Sequence, residues 1–501
     1  METALEKIKR LGTDTAIYGV STIFGRFLNF LLTPIYTYVL QPSDFGVVAI
    51  VYSYIAFLNV MYGYGMESAY LKYATTLELG TKKENFSVPF FSLCCTGVLF
   101  SGLIAWNTAP LAHLSKIPGA YHHVVHYAAG IILLDTVAII PFACLRLERK
   151  AAHFAFIRLI SIVINIGCNI LLLFVYHMGI EGVFLSGLIS SAITLLMLAP
   201  TIVGNFSLTH SKELYRALLQ FGLPYVPAGL ATMMIQVIDR PILEALTDEA
   251  TVGIYQANYR LGIFMMLLVS TYDFAWRPFF LSHAKDSEAK QLFARILTYF
   301  LLFAIGAFLV LSFFLEDVVK LPLFAGRTII EKRYWGGLHI VPVVLLAYVF
   351  LGVSNNMVAG IYIEKKTQKL PAITFLGAFV NVIANFLLIP FLGIMGAAIA
   401  TLVSYAVMAV AVYFTVQRFY PVRYEYERIW KMAIAAGVVF CLHQFVELES
   451  YEVLWKVALL MLFVALMYFM RFFHPSELRV MSRLIRRDAA SSSEHPHDVH
   501  T

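Results

Sequence analysis

The sequence predicts an all-α polytopic membrane protein of about 14 transmembrane helices. Two parallel six-helix lobes are expected, followed by two extra C-terminal helices. Three observations carry this expectation. The first is composition: of 501 residues, 60% are hydrophobic and only 14% charged, and the mean hydropathy is +0.76, whereas a soluble protein carries about 25% charged residues. The second is a succession of apolar stretches of about 20 residues, each long enough to cross a bilayer as a helix. The third is a long internal repetition.

In chain order, the apolar stretches start near residues 16, 44, 87, 121, 154, 180, 217, 250, 293, 338, 369, 393, 429 and 452. The first, from Ala16 to about Leu40, exceeds the roughly 7–15 residues of a signal-peptide core, and no small-residue cleavage site follows it. An even number of spans puts both ends of the chain on one side. The connections on that side hold most of the 37 Lys and Arg, and the opposite loops only Lys116, Arg240, Lys320, Arg327, Lys332 and Arg333. By the positive-inside rule both termini are expected in the cytoplasm. The loop from Glu316 to Gly337 is the basic exception on the outer side. It reads either as a short interfacial helix with snorkelling cations or as a collection site for anionic glycan.

The repetition links the two lobes. "LERKAAHFAFIRLISIVINIGCNILL" from Leu147 returns as "IEKKTQKLPAITFLGAFVNVIANFLL" from Ile363, aligning Glu148 with Glu364, Asn165 with Asn381 and Asn169 with Asn385. "MGIEG" from Met178 then answers "LGIMG" from Leu392. Helices 1 and 7 also align: Tyr18 with Tyr225, Asn29 with Gln236, Pro34 with Pro241, Gly46 with Gly253. Six helices separate the copies, so they run parallel, related by an axis along the membrane normal. Transporters with alternating access are commonly built this way, with substrate held near mid-membrane between the repeats. The expected divisions are residues 1–210 and 211–420 for the lobes, 421–474 for the two added helices, and 475–501 for a cytoplasmic end. That end combines an amphipathic helix from His474, fit to lie on an anionic leaflet, with a disordered tail.

Charges inside the spans are the candidate site. Arg26 lies about ten residues into helix 1 from one side and Arg260 about ten into helix 8 from the other, so each sits ~15 Å deep, near the midplane. A buried ionisable side chain costs about 2.5–3.5 kcal/mol on insertion scales and marks function by default. Two guanidinium forks suit a diphosphate, whose oxygens they bind bidentately. The alternative is that each Arg pairs with an intramembrane carboxylate or polar side chain for structure alone. Thr22, Asn29 and Thr33 extend a polar stripe from Arg26, and Gln256 lies one turn from Arg260, placed to hydrogen-bond sugar hydroxyls. Asp135, the deepest carboxylate, either binds a coupling proton or cation or neutralises Arg26. Asp239, with Arg240 at the outer end of helix 7, and Asp273, at the inner end of helix 8, read as gate or interface residues. Arg158, a turn into helix 5, can snorkel to water.

Several features carry less. The five cysteines all fall in apolar runs and read as buried small hydrophobes. "HHVVH" from His122 puts two imidazoles on one face, but no carboxylate or Cys nearby completes a metal site. The two Asn pairs suit helix–helix contact. No Walker A loop and no large extramembrane segment are present, so neither ATP hydrolysis nor another enzymatic activity is expected.

"LLTPIYTYVLQPSDFGVVAIVYSY" from Leu31 and "DRPILEALTDEATVGIYQANYRLG" from Asp239 resemble the lobe-entry motifs of the bacterial polysaccharide transporters. These are the O-antigen and exopolysaccharide flippases of the superfamily that also contains the multidrug and toxin exporters (MATE). The resemblance covers roughly residues 10–420. It implies a MATE-like cavity that moves a polyprenyl-diphosphate-linked oligosaccharide across the bacterial inner membrane for lipopolysaccharide or exopolysaccharide synthesis. It further implies polymerase and glycosyltransferase partners beside the membrane lipids, no nucleic-acid partner, and no cofactor beyond a coupling ion, H+ or Na+. A count of fourteen spans resembles the lipid II flippases, whose extra pair is thought to take the lipid tail. A lipid II flippase and a cation-coupled multidrug exporter are the alternatives. The exporter is disfavoured because both midplane charges are Arg, where bound cations would call for carboxylates.

Overall fold

A computed structural model describes residues 19, 23–114, 121–208, 211–322, 326–446 and 451–473. These residues are mostly helical, with no strand among them. The segment from His474, expected to lie on the membrane surface, falls outside the described residues.

Helical residues 23–30 lead into α1 (Leu32–Val39). The chain continues through α2 (Pro42–Gly63), α3 (Met66–Thr76), α4 (Lys82–Trp106), α5 (His123–Leu147), α6 (Ala151–Ile170) and α7 (Gly179–Asn205). Next come α8 (Lys212–Gly222), α9 (Tyr225–Val237), α10 (Asp239–Leu246), α11 (Glu249–Tyr259), α12 (Ile263–Ser282) and α13 (Ala289–Lys320). Last are α14 (Val341–Met357), α15 (Leu370–Leu392), α16 (Ile394–Gln417), α17 (Tyr426–Phe445) and α18 (Glu452–Phe469). Local chemistry sets several starts. Thr81 and Glu84 form a reciprocal capping box at α4 (2.7 and 3.2 Å), and Asp248 accepts the Thr251 amide at α11 (2.7 Å). These side chains satisfy amides that have no partner in the first helical turn.

Eleven helices among the described residues are long and apolar enough to cross a membrane, or 12 if the bent α8–α9 pair is one span. The expected count of about 14 exceeds this by two segments. The first begins among residues not described. The other is α17, whose opening turn carries Glu427, Arg428 and Lys431.

The seventh span also differs from its expected form. Ser211 caps α8 (3.2 Å to the Leu214 amide), whose Leu214, Leu218 and Gly222 are buried while Lys212, Glu213 and Arg216 lie on other faces. That is an amphipathic helix, and it meets α9 at a 41° bend. The candidate crossing is thus a broken one, Lys212–Gly222 with Tyr225–Val237, and the chain stays helical beyond it from Asp239 to Leu246.

The repetition in sequence is a repetition in backbone. Arg149 and Lys365, equivalent positions, both take left-handed geometry (φ 56° and 54°), as do Gly179 and Gly393 (φ 57° and 54°). Asn169 bonds the Asn165 carbonyl at 2.8 Å, and Asn385 bonds that of Asn381 at 2.8 Å. Each Asn pair thus clasps its own helix. The repeat-related glycines Gly46 and Gly253 cross at the facing ends of α2 and α11. A Cβ on Gly46 would overlap the Glu249 carbonyl oxygen, and one on Gly253 the Pro42 carbonyl oxygen. Only glycine permits this backbone approach.

The described chain divides into two compact units, residues 1–284 with 317–421 and residues 285–316 with 422–501. The second unit joins most of α13 to α17 and α18. Phe308 stacks on Phe440 (5.6 Å), Phe313 meets His443 (4.3 Å), and Arg428 lies over Tyr299 (5.5 Å). The candidate site lies in the first unit.

Candidate functional site

Two adjoining cavities of about 960 and 270 Å3 open inside the first unit, sharing Arg26, Tyr259, Met266 and Tyr348 in their walls. The smaller is a cationic chamber: Arg26, Arg240 and Arg260 all line it, with Asn29 among them. The larger continues past Gln236, Ser270 and Asn355 to Asp273 and Arg277. These last two residues lie toward the end of the bundle that carries the basic connections.

The three guanidiniums are held differently. Arg26 donates to Ser270 Oγ at 2.9 Å. Arg260 donates to Thr33 Oγ1 at 3.3 Å and lies over the rings of Phe45 (5.6 Å) and Tyr36 (6.0 Å). It sits in a single 3-10 turn, Arg260–Gly262, that interrupts the span between α11 and α12, the kind of local break that often marks a functional hinge. Among the described residues neither Arg26 nor Arg260 has a carboxylate at ion-pair distance. Of the two kinds of partner the structural alternative allows, each therefore has the polar side chain, Ser270 or Thr33, and not the carboxylate. Asp135 accepts from Ser191 Oγ at 2.7 Å and lines neither cavity. Depth along a helix does not give the direction a side chain points, and Asp135 and Arg26 bond different partners.

Arg240 is the residue that sequence reasoning misplaced. It was expected in an outer loop, but α10 carries it on to Leu246, and the side chain is only 5% exposed. Its Nη1 pairs with Asp239 Oδ1 and the Gln236 carbonyl (2.5 Å each), and its Nε donates to Gln256 Oε1 at 3.0 Å. The Tyr259 ring lies 4.5 Å beneath it. Tyr255 donates to the other Asp239 oxygen at 2.5 Å. Asp239 and Gln256 thus stand behind Arg240, and neither lines the two cavities. The repeat register held the signal: the offset that pairs Pro34 with Pro241 pairs Thr33 with Arg240, placing it at the depth of a wall residue.

The Asp239–Arg240 pair is buried, so removing one partner leaves an uncompensated charge, at a cost of about 3–5 kcal/mol. Asp239→Ala should lower thermal stability in detergent steeply, and Asp239→Asn with Arg240→Gln should recover much of it. Equal stability of Asp239→Ala and the parent protein would contradict this geometry.

The other expected site residues fall as follows. Arg26, Asn29 and Arg260 share the small chamber, and Asp273, paired with Arg277 at 3.1 Å, lines the large one. Thr22 lies outside the described residues. Arg158 packs over the Phe142 ring (4.1 Å). In the histidine run, His126 meets Thr108 (3.2 Å) and His123 pairs with Glu181 (2.5 Å). Tyr259, Tyr348, Tyr405 and Phe274, which supply aromatic wall, stood out in no sequence pattern because they look like core.

Residues 36–328 match the model of a family described as polysaccharide biosynthesis protein. No curated protein matches in sequence. Among solved structures, the fold is similar to that of the lipid II flippase MurJ in an inward closed conformation. The TM-score is 0.71 at 15% identity, over 90% of this chain and 99% of that one. It is also similar to a multidrug resistance MATE transporter in an inward-facing conformation (TM-score 0.62, 15% identity, 78% and 94% coverage). The Vibrio cholerae MATE transporter VcmN in its bent form is a further neighbour (TM-score 0.53, 13% identity, 81% and 96% coverage).

Proposed function

We propose that this chain, which belongs to the polysaccharide biosynthesis protein family, is a flippase for polyprenyl-diphosphate-linked oligosaccharide. It carries the glycan from the inner to the outer leaflet of the bacterial inner membrane by alternating access between lobes 1–210 and 211–420. One observation carries the reading: Arg26 and Arg260 line one chamber with no carboxylate partner among the described residues. Unpaired cations at that depth are costly, and an anionic ligand offsets the cost by charge-assisted, bidentate hydrogen bonds. Arg240, already compensated by Asp239, adds donors without adding net charge. The uncompensated pair therefore offers two positive charges to a headgroup carrying two negative ones.

The large cavity suits the sugars. Its volume of about 960 Å3 lies at the upper end of small-molecule sites, and its hydrogen-bonding side chains alternate with aromatic rings. A lipid II flippase would use the same anion chemistry, so purified lipid II and an oligosaccharide diphosphate lipid should be compared as probes.

The assignment of sides is tested by fusion. Alkaline phosphatase joined after Gly336 should be active and after Arg487 inactive; the reverse would overturn the topology. Coupling is assigned to Asp135, through a proton or a cation. Asp135→Asn should abolish gradient-driven transport in vesicles at normal protein level, and unchanged transport would remove Asp135 from the mechanism.

A further inference from the structure

We propose that residues 326–340 form a strap that holds the end of the bundle opposite the basic connections closed, and that it must release before the cavity opens there. The inference rests on the alternating-access reading above. The strap leaves α13 and enters α14, both in the second half of the repeated sequence, and it packs on α11 of that half, yet it also bonds residues 37–41 of the first half.

Five polar contacts join it to the end of α1 and the start of α2, one of them between the Tyr38 and Thr328 hydroxyls at 3.0 Å. The Tyr38 hydroxyl donates to the Thr328 carbonyl at 2.7 Å. The Tyr334 hydroxyl donates to the Leu40 carbonyl at 3.0 Å. Arg333 Nη1 donates to Gln41 Oε1 at 2.5 Å, and the Glu331 amide reaches Thr37 Oγ1 at 3.5 Å. Glu331 also accepts from Arg333 Nε at 2.7 Å, which aims the guanidinium at Gln41.

Tyr334 is the wedge of the strap. It is fully buried, packs edge-on to Phe45 (6.0 Å between centroids), and its carbonyl accepts from Asn258 on α11 at 2.8 Å. One residue therefore bridges α1, α2 and α11, directly beside the Gly46–Gly253 crossing.

The chemistry is that of a releasable contact. Most partners are carbonyls and side chains at helix ends, groups that lack an intrahelical partner and that water can satisfy instead. Each such bond has a small net worth, so a few together hold a state that remains reversible. The 3-10 geometry of Lys332–Ile340 is the less stable helical form, which suits a segment that rearranges.

The test uses the full-length chain in membranes, with the native cysteines replaced and one reporter, Asn29→Cys, in the small chamber. A membrane-impermeant thiol reagent is applied from each side in turn. With Tyr38→Phe and Arg333→Ala together, labelling from the strap side should rise about tenfold, and labelling from the basic side should fall. Tyr38→Phe alone should give a smaller rise in the same direction. Unchanged labelling from the strap side, at matched protein level, would overturn the strap. A rise there without a fall on the basic side would support the strap but contradict alternating access, because the cavity would then be open at both ends.

Discussion

Replacing Arg26 and Arg260 together with Ala should abolish surface glycan in a strain that depends on this protein for its export, at normal protein level. The expected loss exceeds a hundredfold, because each guanidinium supplies charge-assisted bonds worth more than neutral ones and the chamber's remaining cation, Arg240, is already paired with Asp239. The conservative series separates charge from geometry. Arg→Lys keeps the charge and loses the planar fork, so either single Lys variant should lose part of the activity and either Ala variant most of it. Arg260→Lys should be the more damaging of the two, since a Lys ammonium is more strongly hydrated than the guanidinium that lies over Phe45 and Tyr36. Removing Asp135 should not rescue the Ala variants, because its partner is Ser191. Full display from the double Ala variant would remove the anion clamp from the account.

Gly46→Leu should have an effect of comparable size by a different route. Its side chain would have to pass through the Glu249 carbonyl, and no rotamer relieves a clash with backbone. Overpacking costs about 1–3 kcal/mol where neighbours can adjust, so a backbone clash should disfavour the closed crossing by at least ~3 kcal/mol. At 1.4 kcal/mol per tenfold that is a shift of more than about a hundredfold. Gly253→Leu meets the Pro42 carbonyl and should behave alike. Both should stop transport, while Gly102→Leu, with nothing within 4 Å, serves as the control. Transport by Gly46→Leu equal to that of Gly102→Leu would show that this crossing does not matter.

The same glycines show how far the sequence could be read. Gly46 and Gly253 align in the repeat, and a residue kept at the same place in both copies identifies a position with a shared backbone demand. The left-handed turns at Arg149 and Lys365 tell the same story. Apolar runs place most helices because burial of twenty residues in lipid leaves the chain little choice.

What escaped was set by direction rather than by composition. A 20-residue window sees neither the 41° bend between α8 and α9 nor the helix that continues from Asp239 to Leu246, so Arg240 was pushed into a loop. Asp135 stood out as the deepest carboxylate, but its side chain and that of Arg26 point to different neighbours. The strap was legible only as an oddly basic outer loop, because its function lies in contacts with residues some 290 positions earlier in the chain.

The most direct measurement follows a lipid across the bilayer. The purified protein is placed in vesicles with a fluorescent polyprenyl-diphosphate-linked oligosaccharide, and a reagent outside the vesicles reads the share of lipid exposed there. The parent protein should raise the rate of crossing well above that of empty vesicles, and the Arg26→Ala, Arg260→Ala variant should not. Excess inorganic diphosphate should slow the parent and leave the variant unchanged. Equal crossing rates for parent protein and variant would contradict the account, and crossing no faster than in empty vesicles would contradict the flippase reading itself.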